Sequence, residues 1–182
     1  KYYSYYGCKI FRIPQITRGS GSKIRIFINY SSFLLSALFF SYKFFFKEYD
    51  RIFVFAPSPI FIGFIGLIIS KFNKAKTSIW ILDLWPDILK ELNLIKSKFC
   101  LKILDLIIIW MYKSFDSIFV QSKSFQKIIK NKIKNNKKKI IHIPSWTDEI
   151  KFFKKKNIKI KSSKFYLQET SDMHKILILQ LA

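Results

Sequence analysis

Acidic residues and glycine are scarce in this chain. Its 182 residues contain 11 Asp and Glu against 33 Lys and Arg, and the formal net charge is +22. Half of the residues are hydrophobic and 18% are aromatic, so a sizeable core can be buried and disorder is excluded for most of the length. The positive excess is nearly all Lys, mixed with Ile, Phe and Asn, a bias that genome base composition also produces. The charge is therefore weak evidence for a nucleic-acid partner.

Cysteine and histidine are also rare. Cys8 and Cys100 are far apart and lack the spacing of a disulfide or of metal ligands, so we interpret both as small core residues. His142 alternates within a strand pattern and is interpreted as a structural histidine. The two cysteines therefore give no sign of a metal site, and a reducing cytoplasm suits them.

The two ends lack expected features. Residue 1 is Lys, and no signal-peptide pattern follows it. Residues 173–182 begin a strand pattern that has no partner after it. We therefore expect the chain to be a fragment at both ends.

Short β-rich runs alternate with longer helical stretches from about Lys9 onwards. This order is typical of a parallel sheet covered by helices on both faces, a Rossmann-like α/β fold. The four predicted parallel strands are Ile52–Ala56, Ile79–Leu82, Ile118–Gln121 and Ile140–Ile143. A further short strand is predicted at Lys9–Pro14.

The apolar runs also admit an interpretation as membrane spans. Lys23–Tyr49 has no Gly or Pro and would form a helix long enough to cross a domain or a bilayer. Ile52–Ile69 has no charge, but Pro57 and Pro59 favour strand, turn and helix over one span. A central carboxylate such as Asp105 costs about 2.5–3.5 kcal/mol on membrane-insertion scales. A small polytopic membrane protein thus remains the weaker alternative.

The most informative feature is the abrupt end of an apolar run at Asp83. Trp85 and Pro86 follow at once, and proline suits the first turn of a helix. Asp83 is therefore predicted just past the carboxyl end of a strand, the edge at which ligands bind in open α/β sheets. The alternative is that Asp83 or Asp87 merely caps the next helix.

Several motifs resemble one family when they are taken together and in order. They are Arg18-Gly-Ser-Gly-Ser-Lys23, Asn29-Tyr-Ser-Ser-Phe33, Pro57-Ser-Pro59, Asp83-Leu-Trp-Pro-Asp87, Val120-Gln-Ser122 and Ile143-Pro-Ser-Trp146. From about Lys9 to Glu149 the chain resembles the amino-terminal half of a family 4 glycosyltransferase. The subgroup that it most resembles adds fucosamine-type sugars in bacterial surface polysaccharide assembly.

The resemblance implies a GT-B fold truncated at both ends. Residues 1–149 would form the Rossmann-like acceptor domain, 150–174 a Lys-rich linker, and 175–182 the start of a second domain that binds the nucleotide sugar. It also implies a retaining, hexosyltransferase-type enzyme that needs no metal or cofactor. Its acceptor would be a polyprenyl-diphosphate-linked sugar, at the cytoplasmic, inner face of an anionic membrane, with no nucleic-acid partner. The fragment alone would be inactive.

The resemblance assigns roles to two residues of the central motif. Asp83 would orient or deprotonate the acceptor hydroxyl, because a carboxylate within about 3 Å of that proton can act as a base. Trp85 would stack on a sugar face through its apolar ring, although packing in the core is equally consistent with the sequence.

Four more residues are candidates for acceptor binding. Arg18 and Lys23 would meet the phosphates of the acceptor, with a solvated loop as the alternative. Ser58 and Ser122 follow predicted strands and would line the cleft, although capping of the next helix explains each of them as well.

A non-enzymatic basic module is the competing function. The net charge and the Lys-rich runs Lys130–Lys139 and Lys151–Lys164 would suit binding to nucleic acid or to a membrane surface. No zinc spacing, aromatic ribonucleoprotein motif or helix-turn-helix signal accompanies the charge. The motif order therefore favours the transferase.

Overall fold

The structure, a computed structural model, describes residues 2–5, 8–17, 19, 22–91, 94–134, 139–144 and 176–180. These ranges form an α/β arrangement of strands and helices. The strands are β1 Tyr2–Tyr5, β2 Cys8–Phe11, β3 Arg51–Ala56, β4 Lys76–Ile81, β5 Ser117–Val120, β6 Lys139–His142 and β7 Ile176–Gln180. The helices are α1 Lys23–Ser41, a 3-10 turn at Tyr42–Phe44, α2 Ile62–Asn73, α3 Asp87–Glu91, α4 Lys98–Ser114 and α5 Lys123–Ile133.

The main sheet has five parallel strands in the order β6-β5-β4-β3-β7. From β3 to β6 each strand is laid beside the previous one in the same direction. Crossovers of this kind are right-handed, so the linking helices share one face of the sheet. In agreement, α2 packs on β3 and β4, α5 packs on β5 and β6, and α4 lies between these two helices. The prediction of a parallel sheet with helices is confirmed.

Helices on both faces were predicted, but in the described part of the chain the helices packed on the sheet lie on one face. The residues that point towards this helical layer are fully buried, among them Ile52, Ile79 and Ile118. The opposite face carries aromatic rings in contact with one another: Phe53 lies 5.9 Å from Phe119 between ring centroids. This second face therefore has an apolar surface of its own.

Serine caps explain where three helices begin. Ser22, Ser97 and Ser122 each accept a hydrogen bond from the backbone N–H three residues later, at 3.4, 3.4 and 3.2 Å. Such a bond satisfies one of the four amides that a helix start leaves unpaired. The starts of these three helices thus follow from local sequence.

Three details differ from the sequence predictions. The strand predicted at Lys9–Pro14 is β2, which pairs antiparallel with β1 in a separate two-stranded sheet. The helix predicted from Lys23 to about Tyr49 ends at Ser41 and continues only as a 3-10 turn. Cys100, interpreted as a small core residue, is exposed in the first turn of α4. The run Ile52–Ile69 is divided between β3 and α2, which confirms the favoured strand, turn and helix and excludes a single membrane span.

Strand β7 lies beside β3, with Arg51 opposite Ile176. The predicted linker, residues 150–174, lies outside the described residues. The division of the chain into an acceptor domain and the start of a second domain stays a prediction.

Candidate functional site

The carboxyl ends of β3, β4, β5 and β6 meet at one edge of the sheet. Backbone bonds continue the sheet just past the strands: Leu82 N–H donates to Ala56 C=O at 3.4 Å, and Ile143 N–H donates to Val120 C=O at 2.9 Å. The first residues after the strands are therefore held close together. This edge is where the sequence predicted a site.

Asp83 lies at this edge, two residues after β4, and is half-buried. The hydroxyl of Ser58, which follows β3, is placed to donate a hydrogen bond to its carboxylate. Burial raises the pKa of Asp83, and the bond from Ser58 offsets this rise only in part. A carboxylate with a raised pKa is a stronger base than an exposed one, as proton abstraction from a hydroxyl requires.

Gln121 completes the edge and was missed by the sequence predictions. Its side-chain amide donates to the carbonyl of Leu82 at 2.7 Å, next to Asp83. The Nε2 atom of His142 lies 3.2 Å from the carbonyl of Gln121. This histidine therefore supports the loop, in line with its predicted structural role. The available signal for Gln121 was its place directly after β5, where only its neighbour Ser122 was chosen.

Trp85 and Ser122 have structural contacts that account for them. Trp85 is 5% exposed and packs edge-to-face on Phe61 with 5.4 Å between ring centroids. The hydroxyl of Ser122 accepts the N–H of Phe125 as the cap of α5. Packing and capping are the alternatives that the sequence left open for these two residues.

The remaining candidates do not join Asp83 and Ser58 in this arrangement. Lys23 is the exposed first residue of α1. Arg18 lies outside the described residues. Of the predicted site residues, the structure brings Asp83 and Ser58 together at this edge.

A second polar cluster lies between α3, α4 and α5. The ammonium group of Lys132 is 2.9 Å from Asp87 and 2.8 Å from Asp105. Burial alone would lower the pKa of Lys132, but the two carboxylates raise it above its ordinary value. Burial, together with these carboxylates, raises the pKa of the Tyr112 phenol. The cluster fixes α5 against α3 and α4 and borders a groove of about 410 Å³.

Among the described residues, no group of three or more His, Cys, Asp and Glu side chains is placed to hold a metal ion. Comparisons with protein-family models, curated proteins and solved structures find no match for this chain. The arrangement thus defines an α/β protein with a carboxylate-bearing edge on a parallel sheet.

Proposed function

We propose that this chain supplies the acceptor-binding half of a retaining glycosyltransferase with a GT-B fold. The enzyme transfers a sugar from a nucleotide sugar to a polyprenyl-diphosphate-linked saccharide in bacterial surface polysaccharide assembly. It works at the cytoplasmic face of the membrane and needs no metal or cofactor.

The observation that carries this proposal is the half-buried pair of Asp83 and Ser58 at the carboxyl edge of the sheet. Ligands of open α/β sheets bind outside this edge. A carboxylate there can accept a hydrogen bond from a sugar hydroxyl and take its proton during transfer. Gln121 adds an amide held close to the same position. The order of the motifs along the chain supports a sugar acceptor over other ligands.

Acceptor binding tests this proposal on the 182-residue chain itself. We would titrate a soluble farnesyl-diphosphate-linked monosaccharide by calorimetry, with farnesyl diphosphate as the sugar-free control. Asp83→Asn should weaken the sugar-dependent part of binding by about 10–100-fold, since hydrogen bonds to charged groups contribute about 1.5–3 kcal/mol. The matched control is Glu91→Gln, which alters an exposed carboxylate at the end of α3.

Turnover provides the second readout, in a protein that joins this chain to a donor-binding domain. Asp83→Asn should lower kcat by about 10²–10⁴-fold, as expected for loss of a general base. Equal affinities for the farnesyl-diphosphate-linked monosaccharide and for farnesyl diphosphate would contradict the proposal. So would an affinity for the saccharide that Asp83→Asn leaves unchanged.

A further inference from the structure

Helices α1, α2 and α4 carry exposed apolar side chains. On α1 and the turn after it, Leu35, Phe39 and Phe46 are 68%, 69% and 90% exposed. On α4, Leu106 and Trp110 are 61% and 58% exposed. A single exposed leucine is ordinary, but side chains of this size on neighbouring helices mark an interaction surface.

Helix α2 joins the two sets into one surface. Phe72 near its end stacks on Phe45 at 4.2 Å between ring centroids, and Phe64 stacks on Trp110 at 5.9 Å. We call the exposed apolar side chains of α1, α2 and α4 the apolar face. It runs across three helices that pack side by side.

Positive charge borders the apolar face, and carboxylates are nearly absent from it. There is no Asp or Glu from Lys23 to Lys47 or on α2. The carboxylate on α4, Asp105, is bonded to Lys132. Lys71 lies in the last turn of α2 and Lys74 caps its end, and Lys98 and Lys102 lie in the first turns of α4, along the groove that Asp105 and Lys132 also line. Such a border is complementary to an anionic partner.

We infer that the apolar face inserts into the interfacial layer of an anionic membrane, with α1, α2 and α4 in the plane of the bilayer. Aromatic and aliphatic side chains enter the acyl boundary, while lysines extend along it and reach the lipid phosphates. A second copy of the chain would bring the same positive border, so self-association at this face would be opposed by repulsion.

An in-plane position follows from the buried side of α1. By length and composition alone, Lys23–Phe44 could cross a bilayer, which is weak evidence for a span. However, Asn29, Phe33 and Ala37 are buried on the side of α1 that faces the protein. The Asn29 amide also donates to the carbonyl of Ile16. A spanning α1 would have to leave these contacts, whereas an in-plane helix keeps them.

Trp110 provides the probe for a direct test. It is 58% exposed, whereas Trp80 and Trp85 are 7% and 5% exposed. In the full chain with Trp146→Phe, emission would be measured on phosphatidylglycerol vesicles with brominated acyl chains. We expect a blue shift and quenching of the emission, and loss of both changes in Trp110→Phe.

A flotation assay with the same lipid tests the extent of the face. Leu35→Asn combined with Phe39→Asn should weaken vesicle partition by at least about tenfold, because each side chain loses its transfer out of water. The matched control is Ile128→Asn, which alters a 37% exposed residue of α5, outside the apolar face. Circular dichroism would confirm that each variant is folded.

Two outcomes would overturn this inference. One is vesicle binding without quenching of Trp110, which would mean that charge alone holds the chain at the surface. The other is a dimer that the Leu35→Asn and Phe39→Asn changes dissociate, with no effect on vesicles. The inference rests on the membrane location in the proposed function and specifies which surface binds the membrane. Vesicles without a saccharide test this binding separately from sugar transfer.

Discussion

Asp83 and Ser58 illustrate what one hydrogen bond does to a half-buried carboxylate. Burial disfavours the charged form of Asp83, and the hydroxyl of Ser58 stabilises it. The balance leaves the pKa of Asp83 above its ordinary value. Burial therefore determines the direction of the pKa shift of Asp83, and one neighbour, Ser58, limits its size.

We predict that Ser58→Ala raises the pKa of Asp83 further, because the bond that favours its charged form is lost. Carboxyl ¹³C NMR titration would measure this change. The pKa in the folded protein already exceeds the unfolded value, so the native state binds the proton more tightly. The stability contribution of Asp83 is therefore greatest at low pH and is lost as pH rises through the raised pKa.

In Ser58→Ala, the pH at which the stability contribution of Asp83 is lost should be higher. Melting temperatures measured across a pH series would show this shift. Ser114→Ala is the control, since its hydroxyl bonds only its own helix, at the Trp110 carbonyl. An unchanged Asp83 titration in Ser58→Ala would show that the hydroxyl has no influence on the carboxylate.

The sequence predicted where Asp83 and Ser58 lie but not that they meet. Each residue follows a β-rich run, and a parallel sheet places both at one edge. Their contact depends on the backbone conformation of Leu82 and Pro57, which link the two residues to their strands. Hydrophobic periodicity does not predict this conformation. Gln121 was missed for a similar reason, because an amide after a strand has no distinctive pattern until its acceptor is known.

At the scale of elements, α2 lies close to both β4 and α4 because Gly63 has no side chain. A Cβ atom there would lie 2.7 Å from the Met111 sulfur and 3.2 Å from Ile79 Cδ1. The close approach of these three elements therefore depends on the missing side chain at Gly63.

We predict that Gly63→Ala lowers the free energy of unfolding by about 1–3 kcal/mol, the usual cost of overpacking a core. Urea denaturation would measure it. In a Met111→Val background the added methyl group has more room, so the further loss from Gly63→Ala should be smaller. Equal losses in both backgrounds would show that Met111 is not the obstacle.

The sequence predicted elements better than their ends. The four strands from β3 to β6 were expected within one to three residues of their observed bounds. The end of α1 was not, because no Gly or Pro marks it. The turn after α1 is instead held from outside the helix: the Asn73 amide donates to the Phe44 carbonyl at 2.8 Å, and Phe11 packs edge-to-face on Phe44. Local propensity cannot reveal such tertiary contacts.

At the scale of the whole molecule, charge and apolar surface act together. The net charge of +22, without a clean membrane span, predicts peripheral and salt-sensitive binding to anionic membranes. In the membrane-bound state that we infer, the exposed side chains of α1, α2 and α4 add a contribution that ionic strength does not screen. The sequence alone could not show that apolar side chains are exposed here. Apolar residues at helical spacing are found both in a core and on a surface that binds a membrane.

We predict that salt releases the chain from anionic vesicles only in part. At about 1 M salt the Debye length falls to about 3 Å, so the lysines lose most of their attraction while apolar contacts persist. Sedimentation of vesicles across a salt series would measure the bound fraction. Leu106→Asn combined with Trp110→Gln should convert partial release into full release. Complete release of the unmodified chain would contradict an apolar contribution.

The sheet order also has a consequence for the folding pathway. Strands β3 to β6 are joined in sequence to their spatial neighbours, so each pair can form soon after its residues are available. The pairing of β3 with β7 spans the longest separation in the sheet and carries the largest loop-closure cost. Until β7 arrives, β3 presents unpaired amides and carbonyls on one side. We therefore expect the slowest step of folding to coincide with the period in which this chain is most prone to aggregation.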